Sequence, residues 1–362
     1  MKKKALALLM TTAMLATMLA GCGSDGNDGN DAAADSTAAT DNASQDAASE
    51  DSAETEESGE EVEAPAADRV YNIGICQLLE HPALDAATQG FEDALKDLFG
   101  ESNVNIDFQN AQGEQANCAT ICTQFVTDGD DLILANATSP LQSAAAATNT
   151  IPILGTSITD YATALDISDW TGATGTNVSG TSDLAPLEEQ EKMLVELFPD
   201  VQKVGILYCS AEANSKYQAD IIKSCLEDDG IACEEFTAAD SNEIQAVVTS
   251  ACESCDVLYI PTDNTMAGAT EVINNVALPA GVPIIAGEEG ICSGCGVATL
   301  SISYYDIGYT AGEMAYDILV NGADISTMDI QYAPQVTKEY NASICDTLGI
   351  TVPDDYVAIA TE

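Results

Sequence analysis

Two stretches of this sequence decide the fold, because they share one pattern. Residues 128–140 read DGDDLILANATSP, and residues 254–265 read SCDVLYIPTDNT. Each contains an apolar run of strand length that is followed at once by polar side chains. The two stretches occupy matching places in two halves of the chain, which predicts that the halves are built alike.

Around these two runs, strand and helix patterns alternate from residue 70 to residue 287. Apolar runs of strand length cover residues 70–76, 104–109, 131–136 and 151–156, and then residues 203–209, 231–236, 256–261 and 282–287. Helical patterns lie between them at 83–99, 115–126 and 140–147, and at 217–226, 243–254 and 266–277. Continuous apolar strands that alternate with helices indicate a parallel sheet covered on both faces. The predicted fold class is therefore α/β, with two similar doubly wound parallel-sheet lobes.

The N-terminal residues differ in character from this pattern. Lysines at positions 2–4, a short apolar stretch and the sequence LAGC at 19–22 are typical of a secretory signal, too short for a good membrane span. The cysteine resembles that of the bacterial lipobox, so we expect a signal peptide at 1–21 and lipidation of Cys22. An ordinary signal peptide with a chance cysteine is the alternative. Residues 22–69 are almost without large apolar side chains, which predicts a disordered acidic linker.

The charge of the chain restricts its partners. Sixty acidic residues against ten basic ones give a net charge of −50 at pH 7. Nucleic acid is excluded as a partner because binding phosphates requires clustered Lys and Arg. Direct attraction to anionic lipid headgroups is excluded for the same reason, so the expected contact with the membrane is the lipid on Cys22.

The cysteines leave three interpretations open. CESC at 252–255 and CSGC at 292–295 have the spacing of zinc ligands, although Cys255 directly precedes a strand. Local disulfides or redox-labile thiols are a second interpretation, and small packed hydrophobic side chains a third. We predict no metal site and no cofactor.

The sequence also predicts that the protein is not an enzyme. His81 is the only histidine, and the chain contains neither an HExxH nor a GxSxG motif. Pro82 suits the first turn of a helix, which places His81 at a helix start on the rim of a cleft. A contact with a ligand and a structural hydrogen bond are the two roles left open for His81.

Polar residues that directly follow the predicted strands form the candidate binding site. Ligands of parallel α/β sheets bind beyond the carboxyl ends of the strands, where the helices begin. Capping of a helix is the alternative role for each hydroxyl. The candidates are Gln77, Glu80, His81, Thr138, Ser139, Thr156, Ser157, Asp183, Asn214, Ser215, Thr262, Asp263, Asn264 and Glu289.

Five ordered strings resemble a known family. GICQLLEHPALDAATQGFEDAL (74–95), NAQGEQANCATICTQFV (110–126), NVSGTSDLAPLEEQ (177–190), LYCSAEANSKYQ (207–218) and YIPTDNT (259–265) are similar to the substrate-binding lipoproteins of ABC transporters. The similarity is greatest to the branch associated with tryptophan and tyrosine uptake. It implies a type I periplasmic binding protein fold with three hinge crossings, which delivers a solute to a membrane permease and catalyses nothing.

The resemblance also implies lobe boundaries. Residues 70–200 with 304–325 would form the N-terminal lobe, and residues 201–303 with 326–362 the C-terminal lobe. The crossings would then fall near 200–203, 301–304 and 322–328.

The resemblance further implies an amino acid as the ligand, most of all an aromatic one. No arginine is in reach of its carboxylate, which would rest on backbone N–H groups at helix starts, aided by the hydroxyls at 138, 139, 156 and 157. Asp263 is the first choice for the ammonium group, followed by Asp183 and Glu289. Leu78, Leu79, Tyr304 and Tyr305 are candidates for an apolar pocket. A sugar or nucleoside on the same fold, and a surface thiol or hydrolytic enzyme, are the alternatives.

Overall fold

The structure is a computed structural model, and it describes residues 69–360. The predicted signal peptide, the lipidation site at Cys22 and the acidic linker up to residue 68 lie outside the described residues.

The first lobe is built on a six-stranded parallel sheet. Its elements in chain order are β1 (Tyr71–Gln77), α1 (Pro82–Phe99), β2 (Val104–Asn110), α2 (Gln115–Asp128), β3 (Leu132–Asn136), α3 (Thr138–Ala147), β4 (Ile153–Ile158), α4 (Tyr161–Ala164) and β5 (Val178–Ser182). A short 3-10 turn at Glu101–Asn103 precedes β2. The central strands β3 and β4 are buried along their whole length, as a parallel sheet covered on both faces requires.

The second lobe repeats this arrangement. Its elements are α5 (Leu187–Leu197), β6 (Lys203–Cys209), α6 (Ala213–Asp228), β7 (Ala232–Ala238), α7 (Ile244–Ser254), β8 (Val257–Ile260), α8 (Asn264–Ala267), α9 (Thr270–Ala280), β9 (Ile284–Ala286), α10 (Glu289–Cys295) and β10 (Ala298–Ser301). The strand order β2-β1-β3-β4-β5 of the first lobe reappears here as β7-β6-β8-β9-β10. The predicted class, two similar doubly wound parallel-sheet lobes, is confirmed.

The last part of the chain contributes to both lobes. It contains α11 (Tyr304–Leu319), a 3-10 turn at Ile325–Thr327, β11 (Gln331–Tyr332), β12 (Thr337–Tyr340), α12 (Ala342–Leu348) and β13 (Val357–Ala358). Strand β11 pairs with β5 in the first sheet, while β12 and β13 extend the second sheet beyond β10. The chain therefore crosses between the lobes at 183–186, 302–303 and 333–336.

Two expected lobe boundaries differ from this structure. Helix α5 was expected in the first lobe, but Leu187, Met193 and Leu194 are buried in one core with Val204 and Ile206 of the second. The apolar face of the helix finds its partners there, so the first crossing comes before α5 and not near residue 200. The third crossing was expected at 322–328, but the pairing of β11 with β5 holds the chain on the first lobe up to residue 332.

Close contact between α1 and α11 fixes one wall of the first lobe. A Cβ atom on Gly308 would lie 1.9 Å from the backbone oxygen of Ala87, and one on Gly90 would lie 2.1 Å from that of Tyr305. The two helix backbones therefore touch, which side chains at either position would prevent. This packing holds the start of α1, with His81 before it, at the edge of the cleft between the lobes.

None of the helices in residues 69–360 is both long and apolar enough to cross a membrane.

Candidate functional site

The loops at the carboxyl ends of both sheets face each other across a cleft. A cavity of 330 Å³ is lined from the first lobe by the loops after β1 and β2 and the start of α3, and from the second lobe by the loops after β6 and β7 and the end of α8. The lobes approach closely here, since a Cβ atom on Gly268 would lie 2.9 Å from Cδ1 of Leu79. Of the polar loop residues predicted from the sequence, Ser139 lines this cavity.

A hydrogen bond across the cleft joins the lobes at the only histidine. Nε2 of His81, before α1, lies 3.3 Å from Oδ1 of Asn264, the first residue of α8. Both side chains are buried, at 7% and 9% exposure. Burial lowers the pKa of His81 below its usual 6.5, although Asn264, Glu212 and Asp85 oppose the shift. His81 does not cap α1 with its side chain.

Glu212 organises the second-lobe side of this contact. One carboxylate oxygen accepts hydrogen bonds from the backbone N–H and the hydroxyl of Thr265, at 2.8 and 2.7 Å. The other accepts from the backbone N–H and the amide of Asn264, at 3.0 and 2.8 Å, and from the amide of Asn214 at 3.1 Å. Glu212 thus ties the loop after β6 to the start of α8.

Asp263 lies deeper in the same network. Its two carboxylate oxygens accept backbone N–H groups, one from Cys209 at 2.6 Å and one from Met266 at 2.8 Å, so the side chain caps α8 and links it to β6. It is 1% exposed. Burial, with the nearby charge of Glu212, raises its pKa to about 8. Two backbone bonds therefore already engage the carboxylate that was the first choice for an ammonium group.

Asp183 occupies the first crossing between the lobes. Its carboxylate accepts hydrogen bonds from the hydroxyl of Thr159 and from that of Tyr304, each at 3.1 Å. Burial raises its pKa to about 6. Gln218 of α6 extends the same network, because its amide lies 3.5 Å from the Thr159 hydroxyl and 3.2 Å from the backbone oxygen of Thr262.

The first lobe presents hydroxyl groups beside strained backbone. Thr138 begins α3, Ser139 follows it, and Thr156 accepts a hydrogen bond from Thr181 in the sheet. Ser157 has a φ of +57°, and Ala137, directly before α3, has a φ of +95°. Non-glycine residues adopt such angles at a cost, and they concentrate at functional sites. The Ser157 hydroxyl is buried and has no hydrogen-bond partner among the described residues.

The remaining predicted residues have structural or peripheral positions. Gln77 is buried and bonds to Asp85, Thr88 and the backbone of Leu79. Ser215 is buried and accepts a hydrogen bond from Asn214, whose amide also donates to the backbone oxygen of Thr262.

Glu80 and Glu289, two further predicted site residues, are exposed. Glu289 lines a second cavity, of 620 Å³, near the second crossing, together with the buried Glu288, which caps α10.

No cationic side chain lines either of these two cavities in residues 69–360. The six lysines of this part of the chain and Arg69 each pair with a carboxylate outside the cavities. Burial raises the pKa of Glu288 to about 7, and the cleft contains Asp183, Glu212 and Asp263 as well. The cleft is therefore rich in carboxylates that have no cationic partner in the described part of the chain.

The cysteines are thiols in the part of the chain that the structure describes. Cys76, Cys118 and Cys122 are fully buried in one core of the first lobe, and Cys292 and Cys295 in one of the second. No group of three or more His, Cys, Asp or Glu side chains in residues 69–360 is arranged to hold a metal ion. At these buried positions the cysteines pack as small hydrophobic side chains, which is the third of the three interpretations.

Sequence reasoning left out several members of these networks. Glu212 and Glu288 lie in loops that follow strands, as the chosen residues do, but nothing in the sequence ranks them above their neighbours. Gln218 lies inside a helix and Thr159 lies three residues beyond the predicted strand at 151–156, and no sequence pattern singled out either residue.

Similarity to known proteins covers the whole folded part. Residues 72–362 match the family described as ABC transporter substrate binding protein. The tyrosine-binding protein of Clostridioides difficile strain R20291 is 38% identical over 264 residues, which are 71% of this chain and 76% of that protein.

Two solved structures are similar over nearly their full length. An ABC domain from Streptococcus pneumonia in complex with L-Trp has a TM-score of 0.75 at 32% identity, covering 79% of this chain and 96% of that one. The ligand-free, open structure of a substrate-binding protein with adhesive properties from Clostridium difficile has a TM-score of 0.62 at 36% identity, covering 81% and 100%. The present structure thus matches the L-Trp complex better, although its sequence is closer to the open protein.

Proposed function

The chain belongs to the family of ABC transporter substrate-binding proteins, and we propose that it captures an aromatic amino acid between its lobes for uptake. Its relatives are substrate-binding proteins and not enzymes. The fold is that of a type I periplasmic binding protein, in which ligand contacts made to both lobes favour the closed form.

The proposal depends above all on the charge of the cleft. An amino acid carries one positively charged group, its ammonium, and the cleft contains buried carboxylates that have no cationic partner within residues 69–360. Glu212 lines the 330 Å³ cavity itself, whereas the side chains of Asp183 and Asp263 lie outside its lining. We therefore assign the ammonium group to a position beside Glu212, with Asp263 deeper in the protein.

The ligand carboxylate would be bound without an arginine. Helix α3 begins at Thr138 on the cleft side, and the free N–H groups of its first turn bind anions. The Ser157 hydroxyl lies at the end of the neighbouring strand, and it is a buried donor without a partner in the part of the chain that the structure describes. We assign the carboxylate to these groups and to the hydroxyls of Thr138 and Ser139.

The side chain of the ligand would lie along the apolar part of the cavity. Leu78 and Leu79 line it from the first lobe, and Cys209, Ala211 and Gly268 from the second. A volume of 330 Å³ lies at the lower end of the range of small-molecule sites, which suits an amino acid. The tyrosine-binding and L-Trp-bound relatives support an aromatic side chain.

Attachment to the membrane and delivery to a permease complete the proposal. The sequence LAGC at 19–22 supports lipidation of Cys22, and the acidic segment after it would act as a tether between the lipid and the lobes. The protein would then be an extracytoplasmic lipoprotein that presents its ligand to an ABC transporter permease.

A thermal-shift screen of the mature chain tests this function. L-tyrosine, L-tryptophan and L-phenylalanine are compared with charged amino acids, sugars and nucleosides. At a free concentration of about 100 times Kd, a bound ligand adds roughly 2.7 kcal/mol to the free energy of unfolding. We expect a shift with at least one aromatic amino acid. A response to sugars or nucleosides alone would contradict the assignment.

A further inference from the structure

We propose that His81 binds the ligand through Nδ1, as the hydrogen-bond acceptor for its amino group, and that Glu212 and Asn264 hold the ring in the required state. The proposal rests on the proposed function, because it assumes a ligand with an amino group.

Glu212 determines which way the Asn264 amide points. Nδ2 of Asn264 donates to the Glu212 carboxylate at 2.8 Å, and an ionised carboxylate can only accept. The reverse orientation would place the amide oxygen against the carboxylate. The oxygen Oδ1 therefore faces the other lobe, where Nε2 of His81 lies 3.3 Å away.

The orientation of Asn264 in turn determines where the proton of His81 lies. An amide oxygen accepts hydrogen bonds and cannot donate, so Nε2 must carry the hydrogen. A neutral imidazole with a proton on Nε2 has a lone pair on Nδ1. Burial favours the neutral ring, as the lowered pKa of His81 indicates. Nδ1 is therefore an acceptor.

This acceptor has no donor within the described part of the chain. Nδ1 of His81 is buried and makes no hydrogen bond, although a buried polar atom left without a partner costs about 1–3 kcal/mol. The charged groups near the ring are Asp85 of α1 and Glu212 of the second lobe, which as carboxylates accept and cannot donate. Pro82, the next residue, has no N–H. No donor among the described residues reaches Nδ1, and the surrounding negative charge favours a cationic one.

The ligand's ammonium group meets this requirement. It would be the donor to Nδ1 at a place where two carboxylates already favour positive charge. Because His81 belongs to the first lobe and Glu212 to the second, an ammonium group near both would hold the lobes together.

Nitrogen NMR of the mature protein with its single histidine tests the proposal directly. The protein is prepared without a histidine tag and labelled with ¹⁵N, so the only imidazole signals are those of His81. We expect the tautomer with hydrogen on Nε2, and a shift of the Nδ1 resonance toward that of a hydrogen-bonded acceptor when L-tyrosine or L-tryptophan is added to saturation. Hydrogen on Nδ1, or an Nδ1 resonance that saturating ligand leaves in place, would overturn the proposal.

Two substitutions separate the two nitrogens of the ring. His81→Asn keeps a polar amide near the position of Nδ1, whereas His81→Gln keeps one near the position of Nε2. We expect affinity for the amino acid to fall about tenfold in the Gln variant and only about threefold in the Asn variant. The opposite ranking would show that affinity depends on the contact between Nε2 and Asn264 and not on Nδ1, and it would overturn the proposal. Wild-type protein that binds no aromatic amino acid would instead reject the proposed function.

Discussion

Acidification from pH 7.5 to pH 5.5 is expected to raise the midpoint of thermal unfolding by roughly 10 °C. Most proteins gain little stability when the pH falls through this range. Here the expected gain arises from carboxyl groups that are buried without forming an ion pair among the described residues. Burial raises the pKa of Asp183 to about 6, of Asp263 to about 8 and of Glu288 to about 7, from usual values of 3.8, 3.8 and 4.5. Differential scanning fluorimetry of the ligand-free mature protein measures the midpoint.

The sign of this effect follows from proton uptake. Between the usual pKa and the raised one, the folded protein binds protons that the unfolded chain does not. Stability is therefore greatest at acid pH and is lost as the pH rises through the raised values. One pKa unit corresponds to about 1.4 kcal/mol, so the three groups together contribute on the order of 5 kcal/mol over this range.

Asp183→Asn provides the matched test of this explanation. Both partners of Asp183 are hydroxyl groups, from Thr159 and Tyr304, and hydroxyls can donate to an amide or accept from it. We expect the variant to be more stable than wild type at pH 7.5, by about 2 kcal/mol, and to depend less on pH. Glu313→Gln, at an exposed position of α11, is the control and should change neither property. A midpoint that falls on acidification would contradict the burial argument.

Glu212→Ala is expected to lower the affinity for the aromatic amino acid about a hundredfold. The carboxylate accepts five hydrogen bonds from Asn214, Asn264 and Thr265. Removal of the carboxylate leaves these buried N–H and O–H donors without an acceptor. It also removes the bonds that hold the start of α8 in position beside the proposed ligand. The free energy of unfolding should fall by about 3 kcal/mol as well. Isothermal titration calorimetry and urea denaturation measure the two effects.

Glu114→Ala is the control for loss of charge. Glu114 lines the same cavity, but it is exposed and does not cap α2 with its side chain. We expect less than a threefold change in affinity, since exposed charges contribute little. Equal effects of the two substitutions would show that charge in the cavity matters and the network around Glu212 does not.

The sequence was sufficient to predict the repeated architecture. Buried parallel strands are recognisable from the sequence alone, because they appear as apolar runs such as LILAN in β3 and VLYI in β8. Turn residues mark where the runs end, so the cleft side of each lobe was also predictable. The resemblance to substrate-binding lipoproteins was confirmed by the family match and by the relatives.

The details of the site were less predictable because they depend on contacts between distant residues. Asp263 and Asn264 were chosen for a ligand, and only the fold shows that Asp263 caps α8 while Asn264 reaches His81 of the other lobe. Helix α5 carries an apolar face that could have packed on either lobe. The pairing of two residues in β11 with β5 is too short to leave a pattern in the sequence.

Hydrogen exchange of the mature protein, with and without saturating L-tyrosine or L-tryptophan, tests the central claim most directly. If the ligand is bound between the lobes, backbone amides should become protected in both at once. We expect protection at residues 137–141 and 156–160 of the first lobe and at residues 209–215 and 262–268 of the second. Protection confined to one lobe, or located away from these loops, would contradict binding in the cleft.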